Sequence, residues 1–181
     1  MIVVLQAHPY PDRSRANRLL TAAIADLPGV EIRWLYDLYP DFAIDVETEQ
    51  RSMRRASTVV WQHPLFWYSA PALLKLWFEK VLTPGWAYGP GGTALQGKRC
   101  LWVITTGGAI GDYSPEGLHR HELESFLPVT RQTAQFCRMN WLEPLVVHDA
   151  LRLEDDELAR FALRYRERLI ELGGAIEARD E

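Results

Sequence analysis

The sequence predicts one doubly wound α/β domain built on a five-stranded parallel sheet. Short continuous apolar runs, Ile2 to Leu5 and Cys100 to Thr105 among them, alternate with stretches whose apolar residues recur at helical spacing. Strand and helix alternating along a chain imply right-handed crossovers and parallel pairing. The 181 residues are 48% hydrophobic and 24% charged, the length and balance of one soluble globular domain.

Taken in order, Ile2 to Leu5 is a strand covered on both faces. Ser14 caps a helix with apolar positions Ala16, Leu19, Leu20, Ala23, Ile24 and Leu27, ended by Pro28-Gly29. Val30, Ile32, Trp34 and Tyr36 alternate with Glu31 and Arg33, as on an edge strand. Asp45 starts a short polar helix through Ala56, and Val59 to Trp61 form the third strand. Ser69, with Pro71 in the first turn, opens a helix through Leu82. Residues 83–97, rich in glycine and proline, form a surface excursion that exposes Trp86 and Tyr88. The fourth strand is Cys100 to Thr105, a helix runs from Leu123 to Cys137, and Leu145 to His148 form the fifth strand. A last helix aligns Leu158, Phe161, Ala162, Tyr165, Leu169 and Leu172 and stops at Gly173-Gly174. Residues 1–174 thus make the domain and 175–181 a charged, frayed tail.

Several function classes fall away. No run of 18 apolar residues occurs, and the apolar start lacks the basic region and cleavage site of a signal peptide. A net charge of −4 argues against a nucleic-acid or anionic-lipid surface. Cys100 and Cys137 form no metal-ligand spacing and are expected as buried thiols in a reducing cytosol, with no metal site.

Ligands of such folds bind outside the carboxyl ends of the strands. Three loops there carry unusual residues. After the first strand, His8, Ser14, Arg15, Ala16 and Asn17 surround a helix start, whose free amides and dipole suit an anion. The same residues also serve as a plain helix cap. No P-loop or dinucleotide fingerprint is present. After the third strand, Leu65, Phe66, Trp67 and Tyr68 offer aromatic cover for a flat ring, or a hydrophobic plug over the sheet. After the fourth, Thr105, Thr106, Gly107 and Gly108 open backbone amides to a planar ligand, or form an ordinary turn. Tyr113 and His119 add hydrogen-bond donors beyond that turn, and a histidine can exchange a proton near neutral pH. An anion site, an aromatic shelf and an amide-lined turn at one sheet edge together describe a flavin mononucleotide pocket.

On these residues the sequence resembles the flavodoxin-like NAD(P)H:quinone oxidoreductases, from Met1 to about Leu172. His8-Pro9, Ser14-x-x-Asn17, Pro64-Leu65-x-Trp67-Tyr68 and Thr105-Thr-Gly-Gly108 stand in the family's order. Tyr39-Pro-Asp-Phe42, Trp61-Gln-His-Pro64, Leu73-Leu-Lys-Leu-Trp77, Gly85-Trp-Ala-Tyr-Gly89 and Gly91-Gly-Thr-Ala-Leu95 are similar to the ancillary proteins of glutathione-regulated potassium-efflux systems.

The resemblance implies bound FMN, a homodimer with the site at the subunit boundary, and hydride transfer from NADH or NADPH to quinones. It places His8 and Ser14 to Asn17 on the phosphate and ribityl chain, and Leu65 to Tyr68 and Thr105 to Gly108 on the isoalloxazine. Tyr113 and His119 match the pair that acts beside the flavin, as in stand-alone reductases. Phe66 departs from the glutamine of larger reductases, leaving that position its backbone and ring. The narrower likeness implies a cytoplasmic protein that activates a potassium/proton antiporter through the antiporter's cytoplasmic domain, at the inner membrane.

Overall fold

The computed structural model describes residues 1–177. Its strands are β1 (Ile2–Gln6), β2 (Val30–Trp34), β3 (Thr58–Pro64), β4 (Arg99–Thr105), β5 (Asn140–Trp141) and β6 (Leu145–Val147). Its helices are α1 (Arg15–Ala22), α2 (Leu35–Leu38), α3 (Val46–Arg55), α4 (Ala72–Val81), α5 (Leu127–Phe136) and α6 (Asp155–Glu177). Every strand pair is parallel, in the order β2-β1-β3-β4-β5, with β6 also on β4.

The doubly wound sheet expected from the sequence is present, with its fifth position broken in two. Asn140 and Trp141 pair with Arg99 and Cys100, whereas Leu145 to Val147 pair with Val103 to Thr105. Leu142, Glu143 and Pro144 stand opposite only Leu101 and Trp102, so the outer strand bulges. Pro144 has no N–H to give the ladder, the physical reason for the break.

Side chains alternate across the sheet into two apolar layers. Val3, Leu5, Val59, Trp61, Cys100, Trp102 and Ile104 face α3, α4 and α5, where Met53, Leu73, Trp77 and Ala134 complete that layer. Ile2, Val4, Val60, Leu101, Val103 and Val147 face α1 and α6, against Leu20, Leu158, Tyr165 and Leu169. Cys100 and Cys137 are buried free thiols, and burial raises the pKa of both.

Several boundaries differ from expectation. The first helix ends at Ala22, and successive turn bonds carry the chain on while Ile24 still packs in the core. Tyr36 leaves the second strand for the unexpected helix α2. The helix expected from Ser69 begins at Ala72, because Ser69 closes a turn with Phe66. The helix expected from Leu123 opens as a 3-10 turn, Leu123–Phe126, before α5. The last helix continues through Gly173-Gly174, neither of which takes the positive φ that stops a helix, so 175–177 are helical and not frayed. The expected frayed tail at 178–181 lies outside the described residues.

The glycine-rich excursion is packed instead of projecting. Trp86 is buried, and the Tyr88 ring lies 4.8 Å from Phe136. Gly85 N–H donates to Tyr88 O at 2.8 Å and Ala94 N–H to Trp86 O at 3.0 Å. A Cβ on Gly92 would lie 2.0 Å from Tyr88 O, so only glycine lets this loop fold back.

Behind β2, Glu49 of α3 is fully buried. It accepts from Arg33 Nε at 2.9 Å, from Tyr39 Oη at 2.5 Å and from Trp77 Nε1 at 2.8 Å. Arg33 also bonds Glu31 at 3.0 Å. Burial opposes the Arg33 charge, but these carboxylates outweigh it and raise the guanidinium pKa. Burial and the Glu49 charge push the Tyr39 phenol up to about 12.

Candidate functional site

The strand order reverses between β1 and β3, and the carboxyl ends of β1, β3, β4 and β6 open there on one cavity of about 510 Å³. Its lining includes His8, Ser14, Arg15, Ala16, Leu65, Phe66, Thr105, Thr106 and Gly107. Three loops far apart in sequence therefore meet, and the lining holds no carboxylate.

At one end stands the start of α1. The Ser14 hydroxyl caps it, accepting from Asn17 N at 3.3 Å and from Asn17 Nδ2 at 3.1 Å. Its own hydrogen is thus free to donate outward. Arg15 and Ala16 occupy the first turn, where amides have no intrahelical acceptor. Asn17 is buried and also donates to Thr105 Oγ1 at 3.0 Å, which ties the helix start to β4. The Arg15 guanidinium instead turns toward α6, to Asp155 and Leu153 O. This arrangement presents backbone and hydroxyl donors of the kind that suit an anion.

His8 is buried beside it, and its Nδ1 accepts from Tyr10 N at 3.0 Å. A ring nitrogen that accepts carries no proton, so the neutral imidazole bears its hydrogen on Nε2. Burial lowers the His8 pKa, partly opposed by the Tyr10 bond. Deeper on β3, His63 accepts from Trp102 Nε1 at 2.7 Å, and burial holds its pKa down at about 4.

The second loop is a tight turn. Phe66 and Ser69 exchange two backbone bonds of 3.0 Å, with Trp67 at φ 50° and Tyr68 at φ 61° between them. Positive φ at two large residues stores local strain of order 1–3 kcal/mol each. The turn leaves Trp67 93% exposed and sets the Phe66 ring 5.8 Å from His8, nearly perpendicular. Leu65 N–H donates to Thr105 O and Phe66 N–H to Ser69 O. Neither amide is therefore free for a ligand, and Phe66 contributes its ring.

In the third loop Thr106 N–H is held by Val147 O, while the amides of Gly107 and Gly108 have no acceptor among the described residues. Gly108 also makes room behind the turn. A Cβ there would meet His119 Nε2 at 2.9 Å and Tyr113 Cε2 at 3.2 Å. Tyr113 and His119 stack at 4.2 Å, and His119 Nδ1 lies 3.2 Å from Tyr68 Oη. His119 Nε2 is buried without a partner. Tyr113 is only 9% exposed, and burial raises its phenol pKa although the Thr106 hydroxyl pulls it down.

The structure thus gathers His8, Ser14, Arg15, Ala16, Leu65, Phe66 and Thr105 to Gly107 around the cavity, while Asn17 is buried and holds Ser14 and Thr105. Trp67 and Tyr68 lie on the adjoining turn; Gly108, Tyr113 and His119 lie outside the lining, Gly108 O accepting from the Thr106 hydroxyl at 2.8 Å and Tyr113 stacking on His119. The lining adds Tyr10, Arg13 and Pro64 from the same loops, to which the sequence assigned no role, and Ala150 and Leu151 after β6, which it missed along with His148 and Phe126 beside Tyr113. The rule that points to strand ends, applied to the fifth strand as well, finds His148, Ala150 and Leu151.

The flavodoxin-like fold profile matches residues 1–169. The chain belongs to the flavodoxin-like family. It is 48% identical over 175 residues to the glutathione-regulated potassium-efflux system ancillary protein KefF of Salmonella typhi, covering 94% of this chain and 96% of that one. Among solved flavodoxin-like structures, general stress protein 14 of Treponema denticola, in complex with FMN, superposes with a TM-score of 0.88 at 31% identity. That match covers 94% of this chain and 98% of the other. An NADPH-quinone reductase from P. pentosaceus gives 0.85 at 29% identity, over 93% and 96% of the two chains. Among the described residues no helix of this flavodoxin-like chain is long and apolar enough to cross a membrane, and no group of side chains is set to hold a metal ion.

Proposed function

We propose that the chain is an FMN-dependent NAD(P)H:quinone oxidoreductase. The observation that carries this reading is the cavity itself, where a carboxylate-free helix start and the unpaired amide of Gly107 face one space at the switch point. The donor set fits FMN: the Ser14 hydroxyl, held by Asn17, and the amides of Arg15 and Ala16 for the phosphate, the neutral His8 for the chain beside it, Phe66 for ring contact, and Gly107 and Gly108 for the polar ring edge. Bound FMN would supply two-electron hydride chemistry. The protein residues around it orient the reactants, exclude water and offer hydrogen bonds. Tyr113 and His119 are assigned to the quinone oxygen as it gains negative charge, where a preorganised donor acts most strongly. One cavity serving both substrates in turn implies ping-pong kinetics.

The protein is expected to purify yellow or to take up one FMN per chain in a titration, and to reduce quinones with NADH or NADPH. A colourless protein that ignores FMN would end this reading. Residues 1–174 are assigned to the FMN-binding domain, its last helix running on to Glu177.

Exposed apolar groups surround the site's loops: Leu151 of the lining at 82% exposure, Trp67 of the turn after β3, and Ile110 and Leu118 of the segment after β4. A second copy of the chain is proposed to cover them, forming a two-fold dimer around the site. Sedimentation at micromolar concentration should give about twice the 20.8 kDa chain mass; a monomer would contradict the shared site.

The 48% identity to proteins named as potassium-efflux ancillary subunits supports a second reading, in which this cytoplasmic protein docks on an antiporter's cytoplasmic domain and turnover is secondary. Co-purification with that domain, retained by Tyr113→Phe, is the expected result. Failure to bind leaves the stand-alone reductase.

A further inference from the structure

We propose that Tyr165 and Gln62 are positioning residues for the cofactor phosphate, acting through Thr21 and Asn17 to fix the Ser14 hydroxyl at the cavity. The proposal rests on the FMN reading above and adds two residues that touch no ligand.

The packing between the sheet and helices α1 and α6 is apolar, yet a string of polar side chains runs through it. Tyr165 of α6 and Gln62 of β3 are fully buried, and Asn17 and Thr21 of α1 are each 1% exposed. Tyr165 Oη donates to Gln62 Oε1 at 3.2 Å, and Gln62 Nε2 donates to Thr21 Oγ1 at 2.8 Å. Thr21 Oγ1 donates to Asn17 O at 2.8 Å, a carbonyl that Gln62 Nε2 also reaches at 3.3 Å. Asn17 Nδ2 then donates to Ser14 Oγ at 3.1 Å and to Thr105 Oγ1 at 3.0 Å. Every link in the line is a hydrogen bond between named atoms.

One atom sets the direction of the buried links. Asn17 O can only accept, so Thr21 gives it its single hydrogen and must accept from Gln62. The same carbonyl requires the amide nitrogen of Gln62 on that side, which turns Gln62 Oε1 toward α6. That oxygen needs a donor in the core, and the Tyr165 phenol supplies it. The donors thus point from α6 toward the start of α1. At the far end Ser14 Oγ accepts from both Asn17 N and Asn17 Nδ2, which leaves its own hydrogen for the cavity.

A leucine at 62 and a phenylalanine at 165 would fill this space with no polar atom to satisfy. What the polar pair adds is position. Asn17 is held at its carbonyl by Gln62 and at its side chain by Thr105, so the first turn of α1 is locked against β3 and β4. Linked hydrogen bonds also polarise and rigidify one another. Arg15, on the same turn, is tied to α6 at the surface through Asp155 and Leu153 O. The last helix therefore grips the start of α1 inside and out, and the donors of that turn are in place before a phosphate arrives.

The test compares binding of FMN with binding of riboflavin, which lacks the phosphate. Tyr165→Phe keeps the ring and deletes the hydroxyl at the head of the line. Its FMN affinity should fall about tenfold, the upper scale of one hydrogen bond, while riboflavin affinity stays within about twofold of wild type. In a Ser14→Ala background the same substitution should add less than about a twofold loss, because the group it positions is gone. The double variant Tyr165→Phe/Gln62→Leu removes both partners of the first bond. Its urea midpoint should recover toward wild type while FMN binding stays weak, a split that a purely structural role would not give. In the FMN-free protein the Asn17 side-chain amide protons should exchange faster in Tyr165→Phe than in wild type. FMN and riboflavin weakened alike, a selectivity change under about threefold, full additivity with Ser14→Ala, FMN affinity restored along with stability in the double variant, or unchanged Asn17 exchange would each overturn the proposal and leave the FMN reading standing. A wild-type chain that binds neither flavin would overturn the FMN reading and the proposal with it.

Discussion

Tyr113→Phe is expected to slow quinone reduction by as much as about a thousandfold while FMN stays bound. Loss of one preorganised donor to a developing oxyanion removes about 2.7–4 kcal/mol of transition-state stabilisation. The phenylalanine keeps the ring that packs on His119, Phe126 and His148, so the deletion is confined to the hydroxyl. His119→Ala should act in the same half-reaction, but it also removes the stacked ring and the Tyr68 partner, so His119→Gln is the cleaner companion. Stopped-flow traces of each half-reaction locate the defect. Equal rates in both halves would reduce the two residues to packing.

Glu49→Ala should destabilise the fold by about 3 kcal/mol, because it removes the buried carboxylate that Arg33, Tyr39 and Trp77 share and leaves the half-buried guanidinium only its Glu31 bond. The Arg33 side chain is 12% exposed and would lose its bonds to Glu49, as would Tyr39 Oη and Trp77 Nε1. Three elements, β2, α2 with its cap and α4, are joined through this one carboxylate of α3. The double variant Arg33→Met/Glu49→Leu should recover much of the loss, since replacing a buried ion pair by packed apolar groups is often neutral. Urea melts of both proteins measure this. A single-variant loss under about 1 kcal/mol would show that water reaches the pair.

That network marks where the sequence was opaque. Its helix is legible as polar from Asp45 to Ala56, and a polar pattern places Glu49 in water; nothing in the spacing shows that Arg33 and Trp77 converge on it. The apolar strands were legible because burial on both faces leaves continuous runs, as in β1 and β4. The fifth strand was half seen, since Asn140 and Trp141 are too short a pair to register and Pro144 hides the continuity. In the candidate site, the helix start at Ser14 and the Thr-Thr-Gly-Gly turn announce themselves by residue type. Tyr10 and Leu151 do not, because a side chain that lines a cavity by position alone leaves no local pattern. His148 was read only as the end of a strand. Trp86 was misplaced because glycine and proline flank a surface loop and a folded-back one alike.

The break at Pro144 has a consequence for how this protein meets others. A long uninterrupted outer strand would be a template for a foreign strand, and from there for aggregation. Here the outer ladder offers Asn140 and Trp141, then a bulge with a missing N–H, then only Leu145 to Val147. An intruding chain would find two or three residues to pair with before losing register. Main-chain pairing at this edge is thereby disfavoured, and the assembly proposed above is left to side-chain contacts such as those of Trp67 and Leu151.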